Sequence, residues 1–212
     1  MSLPEVPLIA GKIVSRETLN ALDEFDGLLR KWSKRINLIS QNSARSSWDR
    51  HIVDSAQLFS AAGRDFEQWC DLGSGGGLPG LVVAVLAREM MPRATVSLIE
   101  SDARKAAFLK LAIEKLGLSA NVIACRIENA DPANAEVVSA RALAPLDKLL
   151  GYVYAHCREG SVALLPKGQN YKEEISAASL YWAFDCEILH SKTDTSARIL
   201  KITNLKPKDL LR

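Results

Sequence analysis

Five glycines crowd the eight residues from Gly73 to Gly80, in the stretch Asp71-Leu-Gly73-Ser-Gly75-Gly-Gly77-Leu-Pro-Gly80, with an apolar run on either side. A strand ending at Asp71, then a glycine-rich turn, then a helix would aim backbone N–H groups and a helix N-terminus at a ligand. A phosphate-cradling NTPase loop is excluded, because no Gly-Lys-Ser/Thr follows. A dinucleotide fingerprint exists as Gly75-x-Gly77-x-x-Gly80, but it starts four residues past the strand end. In the earlier register, Gly73-x-Gly75-x-x-Leu78, the third glycine is missing. The S-adenosylmethionine pattern, acid-x-Gly-x-Gly-x-Gly, fits from Asp71 to Gly77 without slippage. Glu100 closes the next apolar run, 27 residues beyond Gly73. A carboxylate there accepts hydrogen bonds from the two hydroxyls of a ribose, whichever cofactor carries it. Turn and carboxylate together point to a nucleoside-bearing cofactor.

Other reactive side chains form no familiar constellation. Three histidines stand apart, and Cys70, Cys125, Cys157 and Cys186 form no Cys-x-x-Cys, so neither a metal site nor a disulfide framework is expected. Residues 28–52 hold Arg30, Lys31, Lys34, Arg35, Arg45 and Arg50 against Asp49 alone. Such a run is either the solvated face of a helix or a phosphate-facing patch.

These residues need a frame. The chain has 212 residues, 48% hydrophobic and 25% charged, with a net charge of +2, the balance of one globular domain. Apolar residues recur every three or four positions from Leu19 to Ile36, so the spacing predicts an amphipathic helix over Glu17–Arg35 with Ser15 as its N-cap. A second helix is expected over Ala44–Ala62. Strands at Trp69–Leu72, Ala94–Glu100, Ala120–Cys125, Glu136–Ala140 and Ser161–Leu165 then alternate with helices at Leu81–Glu89, Asp102–Leu116, Pro145–Cys157 and Tyr171–Ser179. This alternation predicts an α/β fold with a mostly parallel sheet. Phe184–His190 and Arg198–Thr203 read as a closing antiparallel hairpin. The expected organisation is a single domain over 1–212, with a helical extension at 1–65 and a Rossmann-like core at 66–212. No run of 18 or more apolar residues and no signal peptide is visible, so a cytoplasmic protein away from membranes is expected.

The chain resembles the small-subunit rRNA guanine-N7 methyltransferase family, RsmG, also called GidB. The resemblance is carried in order by "NLIS" (37–40), "RHIVDS" (50–55), "DLGSGGGLPG" (71–80), "RKAAFL" (104–109), "RIE" (126–128), "ARALA" (140–144) and "KG" (167–168). It departs from the family where Leu78 replaces Phe, Ile39 replaces Thr, and Arg104-Lys105 replaces Lys-Arg. The resemblance implies a Rossmann-like methyltransferase fold, S-adenosylmethionine as donor, and 16S rRNA or the small ribosomal subunit as partner. It implies loop contacts to the cofactor from Gly73 and Leu78, an adenine-side segment at Ile127 and Glu128, and a role for Arg141. Ser74, Gly75 and Glu100 complete the expected cofactor set, and a monomer is expected.

N7 of guanine carries a free lone pair at neutral pH, so no general base is needed. "SARALAP" stands where amino-methyltransferases carry Asp/Asn-Pro-Pro-Tyr/Phe. Catalysis by alignment is therefore expected, with Arg141 orienting cofactor or base. N7 faces the deep, narrow major groove of an A-form helix, so the target base must be looped or splayed out. Asn37, Arg50, His51, Lys105 and Lys167 are the candidate RNA contacts, while Trp32, Trp48, Trp69 and Trp182 are read as packing residues. A nicotinamide-dependent oxidoreductase and a non-catalytic RNA-binding or ribosome-assembly protein are the alternatives.

Overall fold

The computed structural model describes residues 8–39 and 48–208. A two-stranded ladder of β1 (Leu8–Ile9) and β2 (Lys12–Ile13), which no sequence pattern announces, precedes α1 (Arg16–Ser33). Ser15 caps α1: its Oγ accepts from the N–H of Thr18 at 3.1 Å, an arrangement that contributes about 1 kcal/mol. The Ser15 hydroxyl and N–H also donate to the Glu89 carboxylate at 3.0–3.1 Å, which ties the start of α1 to the body of the domain. Leu22, Phe25 and Leu29 form the buried face.

Chain order continues with a π-helical turn Trp48–Val53 running into α2 (Asp54–Ala61). The first residues of the helix expected over Ala44–Ala62, and Arg45 with them, lie outside the described residues. Next come β3 (Gln68–Leu72), α3 (Gly80–Met90), β4 (Thr95–Ile99), α4 (Ala103–Leu116), β5 (Ala120–Ile123) and β6 (Ala135–Ala140). The chain closes with α5 (Leu146–His156), β7 (Cys157–Lys167), α6 (Tyr171–Ala178), β8 (Trp182–His190) and β9 (Arg198–Pro207).

Seven strands form one sheet in the order β5-β4-β3-β6-β7-β9-β8. The first five are parallel, and β9 runs antiparallel to both β7 and β8. Alternate strand residues feed opposite faces, as strand geometry requires. Trp69, Leu98, Val137 and Leu164 join the core under α1–α4, while Cys70, Leu72, Val138 and Leu165 join the core under α5 and α6. Every residue of α3 from Gly80 to Ala87 is buried, because α1 covers the side that the sheet does not. Burial pushes the Cys70 thiol up to about 12, which fits an inert packing residue.

One strand is longer than its sequence pattern. β7 spans eleven residues, where the apolar run predicts only Ser161–Leu165. Cys157 pairs with Ala135 of β6, and Ala163–Lys167 pair with β9. Those ladders use backbone groups, so the exposed residues Arg158–Gly160 extend the strand without an apolar signal.

Candidate functional site

The strand order reverses between β3 and β6, and crossovers leaving in opposite directions open a crevice at their carboxyl ends. The glycine turn fills the bottom of that crevice. Gly73, Gly75 and Gly77 have φ of +64°, +55° and +81°, a left-handed backbone that side-chain-bearing residues rarely adopt. At Gly73 a Cβ would also lie 2.6 Å from Leu143 Cδ1. The turn is tied down from β4: the N–H of Ser74 donates to the Ile99 carbonyl at 3.0 Å, and the N–H of Gly75 to Glu100 Oε2 at 2.8 Å. The other Glu100 oxygen accepts from the N–H of Asp102 at 2.7 Å. Each oxygen keeps a lone pair for a ligand hydroxyl.

Beneath the turn Asp71 is completely buried. Its Oδ1 accepts from Ser139 Oγ at 2.6 Å and its Oδ2 from the N–H of Gly80 at 3.2 Å. Trp69 Nε1 donates to the same Ser139 hydroxyl at 2.8 Å, so the strand ends of β3 and β6 are locked together. Burial raises the Asp71 carboxyl to about 6, against the donors Ser139, Ser74 and Gly80 and the charge of Arg141, which lower it.

Above the turn lies a cleft of about 370 Å³. Gly73, Gly75, Glu100, Lys105, Ile127, Glu128 and Arg141 line it, together with Leu143 and Tyr152, which the sequence did not single out. Ile127 and Glu128 sit on a 3₁₀ turn, where Glu128 Oε1 accepts from Tyr152 Oη at 2.6 Å. Ser74 and Leu78 are not on this wall. The Ser74 hydroxyl turns inward to the Asp71 carbonyl at 2.9 Å, and Leu78 packs in the core at 5% exposure. A left-handed glycine on each side of Ser74 rotates its side chain away from the ligand face. Lys105, expected at RNA, is instead on the rim of this cleft.

A second cleft, of about 640 Å³, shares the wall Arg141–Ala144 and continues toward Lys167, Asn170, Glu174 and Arg198. Arg141, just past β6, faces both clefts. Its Nη1 lies 3.5 Å from Asp54 Oδ2 and 3.5 Å from the Arg50 carbonyl, and its Nη2 lies 3.5 Å from His51 Nδ1. Burial pushes its pKa below the ordinary guanidinium value, while Asp54 and Asp71 pull it back up. His51 is 7% exposed, and its Nε2 has no hydrogen-bond partner. Burial, then the Arg141 charge, lowers its pKa to about 4, opposed by Asp54, Asp26 and the Arg50 backbone. The imidazole is therefore neutral at pH 7.

The remaining expected contacts are scattered. Lys167 Nζ donates to Glu174 Oε2 at 2.6 Å and to the Ala144 carbonyl at 2.9 Å, so its charge is used inside the protein. Arg50 presents an exposed side chain, and Asn37 is exposed on the chain that leaves α1. Arg30 pairs with Asp26 at 3.0 Å, whereas Lys31, Lys34 and Arg35 are exposed. Trp69 is a fully buried packing residue, and Trp32, Trp48 and Trp182 are partly buried against the two cores. Among the described residues no His/Cys/Asp/Glu group is placed to hold a metal, and no helix is long and apolar enough to cross a membrane.

The model of one family, GidB: rRNA small subunit methyltransferase G, matches residues 18–201. The chain belongs to that family. It is 48% identical over 193 residues to the ribosomal RNA small subunit methyltransferase G of Ruegeria sp. (strain TM1040), covering 91% of this chain and 94% of the relative. Among solved structures, a SAM-dependent methyltransferase from Aquifex aeolicus aligns over 84% of this chain and 97% of its own, with TM-score 0.58 and 10% identity. A variant of MtNAS in complex with S-adenosylmethionine aligns over 89% and 72%, with TM-score 0.57 and 14% identity. At such low identities these two likenesses concern the fold: the Rossmann-like methyltransferase architecture, with its mostly parallel sheet and antiparallel hairpin.

Proposed function

We propose that this GidB-family chain transfers the methyl group of S-adenosylmethionine to N7 of a guanine in small-subunit (16S) rRNA. One observation carries the reading beyond family membership: two clefts meet along Arg141–Ala144, one floored by the glycine turn and the other open to a larger partner. The donor cleft suits a nucleoside. At Gly73 a Cβ would strike Leu143, which also lines the cleft, and the Glu100 carboxylate faces the opening. Glu100 and the turn bind the donor, Ile127 and Glu128 border its base, and Arg141 sets the angle between donor and acceptor. Bound S-adenosylmethionine supplies a sulfonium methyl that a ring nitrogen with a free lone pair attacks without prior deprotonation.

The side chains at the junction agree with that chemistry. Neutral His51 is buried behind Arg141, and no residue has to take a proton, so rate derives from alignment. Exposed Lys31, Lys34 and Arg35 meet rRNA phosphates, and the protein works as a monomer in the cytoplasm. Calorimetry tests the donor: S-adenosylmethionine binds and NADH does not, and the reverse result overturns the reading. Mass spectrometry of 16S rRNA after single-turnover incubation tests the acceptor. A rate nearly flat from about pH 6.5 to 8.5 is expected, because the nucleophile needs no base. A steep limb in that range shows that a titrating group takes part.

A further inference from the structure

His51 was a candidate RNA contact, and the structure places it against Arg141 with 7% of its surface exposed. Its chemistry there is constrained. A guanidinium only donates, so as a hydrogen bond the 3.5 Å contact makes His51 Nδ1 the acceptor and places the ring proton on Nε2. That leaves a buried N–H with no partner, a cost that native structures seldom carry without a reason. What the ring gains in exchange is the contact to Arg141.

The guanidinium meets three acceptors. Nη1 donates to the Arg50 carbonyl at 3.5 Å and forms an ion pair with Asp54 Oδ2 at 3.5 Å, and Nη2 lies 3.5 Å from His51 Nδ1. Nε is used in none of these contacts, and Arg141 lines both clefts. All three acceptors come from the π-helical turn Trp48–Val53 and the first residue of α2. π-Helical turns recur at functional sites because they re-aim side chains within a helix. Asp54 is itself anchored, since its Oδ1 accepts from Gln57 Nε2 at 2.7 Å and Thr193 Oγ1 at 2.8 Å. At 3.5 Å each contact is longer than the roughly 2.7–2.9 Å of a strong charge-assisted bond. Three long contacts in different directions fix the plane of the group while leaving it free to close on a ligand.

We propose that this helical turn is a clamp that sets the plane of the Arg141 guanidinium, and that His51 is a positioning residue of methyl transfer acting through Arg141. The role in methyl transfer rests on the function proposed above; the clamp itself does not.

The test compares His51→Leu, His51→Gln and His51→Asn in the full chain. The amide oxygen of Asn falls near the position of Nδ1, whereas that of Gln lies closer to Nε2. Two quantities are read: rotation of the Arg141 guanidinium by ¹⁵N NMR, and kcat and KM for rRNA methylation. The Leu and Gln variants should free the rotation and lower kcat by about tenfold, with KM for RNA within about twofold of the parent, because misorientation costs rate and not RNA contacts. The Asn variant should slow the rotation again and recover most of the rate. Unchanged rotation in the Gln variant overturns the clamp, as does an Asn variant no better than Gln. A raised KM at unchanged kcat overturns the positioning role in favour of a direct RNA contact. If the Leu variant does not fold, the Asn–Gln pair carries the same contrast. If the parent does not methylate rRNA, the proposed function fails, and the rotation alone decides the clamp.

Discussion

Two neighbouring strand ends, those of β3 and β6, are built in opposite ways. At the end of β3, Asp71 is fully buried, held by contacts of 2.6 and 3.2 Å, and roofed by a turn that Glu100 fastens at 2.8 Å. At the end of β6, Arg141 has three contacts of 3.5 Å and keeps part of its side chain, 22%, exposed. The first end is a preformed floor, and a preformed floor saves ordering cost when a ligand binds. The second is an adjustable arm, suited to a group that must settle against two ligands in turn. Substitutions at the floor should therefore remove binding or fold, and substitutions at the arm should remove rate.

The largest expected effect is at the floor. Gly73→Val should abolish S-adenosylmethionine binding by calorimetry, since φ is +64° and Leu143 Cδ1 already occupies the Cβ direction. A folded variant with unchanged affinity would remove the turn from the site. Next comes the arm. Arg141→Ala should slow single-turnover methyl transfer by about ten- to a hundredfold through lost alignment, with little change in thermal midpoint. An equal loss of stability would break the contrast between the two ends.

The titrations sharpen the contrast further. Burial moves Asp71 up to about 6 and His51 down to about 4, opposite directions from one cause. Asp71 faces Cys70 and Arg141 besides its hydrogen-bond donors, and His51 faces Arg141, Asp54 and Asp26. Unfolded Asp and His titrate near about 3.9 and 6.5. With its folded pKa raised, Asp71 contributes stability that is complete below pH 4 and lost as pH rises through 6. With its folded pKa lowered, His51 contributes stability that is present above about 6.5 and lost as pH falls toward 4. Between pH 4 and 6 the two slopes oppose each other. Relative to the parent, His51→Asn should make stability decline more with rising pH across that window, and Asp71→Asn should make it climb more. Each difference is bounded by about 1.4 kcal/mol per pH unit. Denaturant titrations at several pH values measure it, and parallel curves for parent and variants would refute it.

The smallest effect belongs to neither end. Replacing Lys31, Lys34 and Arg35 by Gln should raise the RNA KM and leave donor affinity alone. The log–log salt slope should drop by about 0.7 per lost phosphate contact on single-stranded RNA. An unchanged slope would make these residues a solvated helix face.

How much of this was legible in the chain depends on whether the determinant is local. Helix α1 was readable to within two residues at its C-terminal end, because Ser15 and the spacing of Leu22, Phe25 and Leu29 act within a few turns. The glycine turn and Glu100 were readable for the same reason: the left-handed backbone at Gly73, Gly75 and Gly77 has few residues that can supply it. Ser74 and Leu78 share the motif, but their side chains point into the protein, a direction that sequence adjacency does not show.

The sequence by itself determined the alternation of strands and helices, the position of the nucleoside turn and the membership of the family. Hydrophobic period, glycine placement and carboxylate spacing are properties of neighbouring residues, and they survive in any context the chain adopts. Only the tertiary structure decided what surrounds Arg141. Arg50, His51 and Asp54 are about 90 residues away from it in the chain, and Tyr152 reaches Glu128 across 24 residues. Lys167, which a basic residue near a cleft suggests for phosphate, is paired with Glu174 one helix later. No local pattern encodes such meetings, because they exist only once α2 and α5 dock on the sheet and burial sets which charges and protons are retained.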